Sequence, residues 1–152
     1  MGKITGIIHK IGQAILGGNP LMKKLSVRTN SRIEMLDITS RIEETVKESG
    51  VTEGVCYLFV PHTTAAVTIN EGADPSVKSD ILKELDKNIT LDDNYQHREG
   101  NSAAHIKASI IGSSEIIPVD SGRLSLGTWQ SVFFCEFDGP RSRTILVKVM
   151  GE

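Results

Sequence analysis

From Ser114 onward the chain reads as four strand-length runs in succession: SEIIPVD, RLSLGT, WQSVFFCEFD and SRTILVKVM. Asp120-Ser121-Gly122 and Asp138-Gly139-Pro140 supply turn chemistry between them. Strands joined this closely pair antiparallel, because a parallel return needs a crossover of a dozen or more residues. The C-terminal part is therefore read as β, in need of a second layer to cover it.

The upstream residues supply that layer. KKLSVRTN and SRIEMLDI are two short alternating runs around Thr29-Asn30-Ser31, a pattern that predicts a β-hairpin. DITSRIEETVKESG predicts a helix: Asp37 or Thr39 caps it, Ile38, Ile42 and Val46 form its apolar stripe, and Gly50 closes it. GVCYLFVP reads as a strand buried on both faces, and TAAVTINE as the next strand. In DPSVKSDILKELDKNI, Asp74 is an N-cap, Pro75 suits the first helical position, and Val77, Ile81, Leu82 and Leu85 make the buried stripe. SAAHIKASIIG is a short helix stopped by Gly112. The order ββαββααββββ gives an α+β class with a mostly antiparallel sheet.

The 152 residues suit one domain with a hydrophobic core of its own. Residues 1–21 stand apart. Ile4, Ile7, Ile8, Ile11 and Ile15 fall on one face at helical spacing, and GGNP reads as a linker. They are expected to be an extension or an added segment, with the single domain over 22–152. A net charge of −2 lacks the basic excess of a nucleic-acid binder, and no apolar run reaches the length of a membrane span. Cys56 and Cys135 sit in apolar runs and read as buried thiols of a reducing, cytoplasmic compartment. There is no Walker loop and no dinucleotide fingerprint.

Three of the four histidines lie where good elements end. His62 follows Pro61 after a strand, His97 sits in a polar stretch, and His105 is carried on the short helix. Three neutral imidazoles can hold zinc or a similar cation with a position left open; three unrelated surface histidines is the alternative. Glu71 at a strand end can serve as a general base or a metal carboxylate. Gly112-Ser113-Ser114 offers N–H and hydroxyl groups to a phosphate, although a helix stop explains Gly112 unaided. Trp129 is core or interface, with core the default, and Gln130 beside it can orient a ligand. Arg123, Arg141 and Arg143 lie near turns and read as solvated, any of them able to meet an anion.

Taken together, PHTTAAVTINE, HREGNSAAHIKASIIGSS, GRLSLGTWQ and FCEFDGPR resemble the YjbQ family, also described as secondary thiamine-phosphate synthases. The resemblance runs from about Met22 to the C-terminus. It implies a compact α+β fold with two or three helices, a homotrimer with pockets near subunit boundaries, and His62, His97 and His105 gathered around a metal or an anion. It implies joining of a hydroxymethylpyrimidine diphosphate to a thiazole phosphate with loss of pyrophosphate. On that reading Glu71 and Lys107 are the catalytic candidates, and Arg98, Asn101, Ser113, Ser114, Trp129 and Gln130 contact substrate or anion. Mg²⁺ would accompany the diphosphate, but it prefers oxygen ligands, and three histidines suit zinc or another transition metal better. A trimeric metal- or ligand-binding protein without turnover and a metal-assisted phosphohydrolase are the alternatives.

Overall fold

The structure is a computed structural model that describes residues 21–152. The expected extension, residues 1–21, lies outside the described residues apart from Leu21, the first residue of β1. The elements run β1 (Leu21–Arg28), β2 (Glu34–Asp37), α1 (Thr39–Ser49), β3 (Gly54–Phe59), β4 (Ala65–Glu71), α2 (Pro75–Asn88), α3 (Ser102–Ile111), β5 (Ser114–Asp120), β6 (Arg123–Leu124), β7 (Gln130–Glu136) and β8 (Ser142–Gly151). The order is the one the sequence patterning predicts.

Two antiparallel sheets result. One has five strands in the order β1-β8-β3-β5-β6, the other three in the order β2-β7-β4. Their inner faces meet in a core containing Val27, Leu58, Val67, Phe134, Ile145 and Val147, closed by Ile42 and Val46 of α1. The outer face of the smaller sheet carries Met35, Ala66, Phe133 and Cys135, and α2 and α3 pack on it through Leu82, Leu85, Ala104 and Ala108. The layers are thus sheet, sheet, helices. Among the described residues nothing covers the outer face of the five-stranded sheet, where Met22, Phe59 and Ile116 are exposed.

The caps follow the sequence. Asp74 Oδ1 accepts from the Ser76 N–H (2.8 Å) with Pro75 at the start of α2. Asp37 Oδ1 accepts from the Thr39 N–H ahead of α1, and Gly50 closes α1 at φ 69°. Cys56 and Cys135 are free and buried, in different sheets, and burial pushes each thiol up to about 12.

The first expected hairpin does not form. β1 pairs with β8 and β2 with β7, so the chain passes from one sheet to the other between them. Thr29 anchors the crossing: its N–H donates to Arg141 O, and its Oγ1 accepts from Arg141 N–H. The tip packs against Gly139, where a Cβ would collide with Ser31 O. β3 is not buried on both faces either. Cys56 and Leu58 point inward, and Phe59 is exposed on the uncovered side.

Candidate functional site

β3 ends at Phe59, and Val60-Pro61-His62-Thr63-Thr64 carries the chain to β4 in the other sheet. This short bridge is pinned at both ends. The Val60 N–H donates to Ser113 O (2.8 Å), and Thr64 O accepts from the Phe137 N–H (3.1 Å). It forms one wall of an open pocket of about 610 Å³; the other walls come from Glu99 and Asn101 ahead of α3, His105 of α3, Ser113, and Asp138, Arg141 and Arg143. His105 also lines two smaller neighbouring hollows, one shared with His62 and one with His97.

The pocket floor is charged and locked. Arg143 is 5% exposed and Glu136 fully buried. Arg143 Nε donates to Glu136 Oε2 (2.8 Å) and Nη2 to Glu136 Oε1 (2.6 Å), while Nη2 also reaches Thr64 Oγ1 (2.8 Å). Burial alone would raise the Glu136 pKa; the bonds from Arg143, Asp138 N–H and Thr29 outweigh it and hold the carboxyl below its usual range. Among the described residues no hydrogen bond runs from Arg143 Nη1, and Arg143 is one of the residues that line the pocket.

His62 is fixed in one tautomer. The Thr144 N–H donates to its Nε2 (2.9 Å), so the ring proton sits on Nδ1. Burial first, and then the Arg143 guanidinium, hold its pKa below the ordinary histidine value. His62 therefore offers a neutral N–H donor. Arg141 spends Nε and Nη2 on Asp138, and Asn101 Nδ2 donates to Asp138 Oδ2 (3.0 Å).

The histidines meet only in part. His97 and His105 stack edge to face with centroids 5.3 Å apart, and His62 and His105 share the pocket. Among the described residues no group of three or more His, Cys, Asp or Glu side chains can hold a metal ion. The expected three-histidine metal site is not made within one chain: the Nε2 lone pair of His62 is taken by Thr144 and its Nδ1 is protonated, so neither nitrogen is a ligand. Among the described residues of one chain these donors do not make a zinc or Mg²⁺ site.

Other predicted residues are elsewhere. Lys107 lies two residues beyond His105, is 1% exposed and is paired with Asp86 of α2; it faces the helix pair and not the pocket. Glu71, Trp129 and Gln130 sit at the far end of β4 from His62, roughly 20 Å along a seven-residue strand. There Gln130 Oε1 braces a turn by accepting from the Gly127 N–H (2.8 Å), and Trp129 is 65% exposed and not core. Ser113 lines the pocket; Ser114 begins β5, opposite Phe59. Arg98 is exposed in the loop before α3. Arg143, read as solvated from sequence, is the buried cation of the site. Its signal was Glu136 seven residues before it, across a two-strand turn.

The family model described as UPF0047 protein YjbQ-like matches residues 23–152. The chain belongs to that family. The UPF0047 protein YugU of Bacillus subtilis is 48% identical over 132 residues, 86% of this chain and 100% of that protein. The UPF0047 protein MJ1081 of Methanocaldococcus jannaschii is 49% identical, over 87% of this chain and 96% of its own length. Among solved structures, a YjbQ/UPF0047 protein of Clostridium acetobutylicum superposes with a TM-score of 0.82 at 50% identity, covering 84% of this chain and 98% of its own. A YbjQ-like protein of unknown function from Sulfolobus solfataricus gives 0.85 at 35% identity, covering 88% and 99%.

The comparisons correct the expected activity. The relatives are named as UPF0047 proteins or as proteins of unknown function, and none is named a thiamine phosphate synthase. The geometry agrees, because Glu71 and Lys107 do not converge with the histidines. Among the described residues no helix is long and apolar enough to cross a membrane.

Proposed function

We propose that the pocket between the β3–β4 bridge and α3 binds the phosphate or carboxylate group of a small molecule. One observation carries this: the buried Arg143 guanidinium lines the pocket, pairs with Glu136 along one edge and has no partner for Nη1 among the described residues. A charged donor already held in place loses little freedom on binding, and charge-assisted bonds are the strong ones. His62 adds a neutral donor, and the Thr63 and Ser113 hydroxyls lie in the same lining. Arg141, paired with Asp138 as Arg143 is with Glu136, lines the same pocket; Arg143 is the buried one of the two.

Titration calorimetry of the full chain with methyl phosphate and with acetate tests this. Arg143→Lys keeps a cation for Glu136 but removes the free guanidinium edge, and affinity should fall about tenfold or more. His62→Gln should weaken binding by a smaller factor. Absence of binding to the wild-type chain, or binding that Arg143→Lys leaves unchanged, refutes the proposal.

A further inference from the structure

The anion pocket and a groove on the uncovered face of the five-stranded sheet share one lining residue. Phe59, the last residue of β3, lines the pocket and also a groove of about 330 Å³ formed with Met22, Tyr57, Leu146 and Lys148. The register places these side chains in rows. Phe59 stands opposite Leu146, and Tyr57 and Met22 flank Lys148 on either side. The Thr144 N–H holds His62 at one end of this track, and Lys148 stands four residues along β8, about 13 Å away.

We infer that the ligand of the anion pocket is elongated, with an apolar body that leaves the Arg143–His62 end and lies over Phe59 and Leu146. The inference rests on the proposed anion reading. The groove volume matches the apolar part of a small molecule better than it matches a helix or a second strand. A wholly polar ligand would leave Phe59, Leu146 and Met22 in water beside it. Lys148 terminates the track with a cation, so the far end of the ligand is polar or acidic.

The test compares methyl phosphate with n-hexyl phosphate on the full chain by calorimetry. Each buried methylene is worth about a fourfold gain, so the hexyl compound should bind at least about tenfold tighter. Leu146→Ser should remove most of that gain and leave methyl phosphate affinity unchanged, which also shows that the variant folds. Equal affinity of both phosphates for the wild-type chain overturns the inference while the anion reading stands. Failure of both to bind removes the anion reading and this inference with it. Sedimentation of wild type and variants supplies a third arm. Dissociation of an assembly by Phe59→Ser or Leu146→Ser identifies the face as an interface between copies and overturns the inference.

Discussion

Protonating His62 breaks its bond from the Thr144 N–H and places a second cation beside Arg143. Its folded pKa lies below the unfolded value of 6.5, so near that pH the unfolded chain binds the proton more readily. The stability it contributes is fully present above 6.5 and is lost as the pH falls through the lower folded value. Thermal midpoints at about pH 8 and about pH 5 should drop less in His62→Gln than in wild type; parallel drops would show that the ring is not held neutral. Glu136 acts on the acid side for the opposite reason. Its folded pKa lies below 4.5, so its contribution survives above that value and fades beneath it. Glu136→Gln leaves Arg143 buried without its counter-charge and should cost about 3–5 kcal/mol in denaturant unfolding. His62, Asn101, His105 and Ser113 line one pocket and could be singled out from sequence because each lies near an element boundary. Arg143 reads as solvated in the sequence, since only its ion pair with Glu136, across the two sheets, shows it buried.

At the scale of elements, α3 shows what spacing can and cannot say. Lys107 follows His105 by two positions, and residues i and i+2 on a helix do not share a face. Helical geometry alone thus separates the pair: His105 turns to the pocket and Lys107 to Asp86. Lys107→Met should therefore leave methyl phosphate affinity unchanged, within about twofold by calorimetry. Asp86 is half exposed, so hydration absorbs part of its lost pairing. The eleven elements themselves were legible, because caps such as Asp74 and stops such as Gly50 are local. Strand pairing was not. β1 finds its partner at β8, with Thr29 bonded to Arg141 112 residues later, and nothing near Thr29 encodes that distance.

For the molecule as a whole, the described sandwich core and helical layer are built from residues 21–152. The family model matches residues 23–152, and the Bacillus relative is spanned in full by 86% of this chain. A chain beginning at Leu21 should keep the thermal midpoint of the full chain within about 2 °C, which corresponds to a few tenths of a kcal/mol for a domain of this size. A larger fall in scanning calorimetry would show that the isoleucine stripe of residues 4–15 packs against the domain.

β1 ends the order of its sheet, so one side of its backbone has no neighbouring strand among the described residues. The Thr29 N–H points toward β8, and by the two-residue alternation so do those of Val27, Leu25 and Lys23. The amides of Lys24, Ser26 and Arg28 face the open side, where Arg41 Nη2 donates to Ser26 O and blunts the edge. Deuterium uptake should consequently run in a zigzag along this strand. Lys24, Ser26 and Arg28 should exchange at close to the rate of unstructured chain, and Leu25 and Val27 orders of magnitude more slowly. Uniform slow exchange would mean that another strand, from this chain or a second one, has joined the edge.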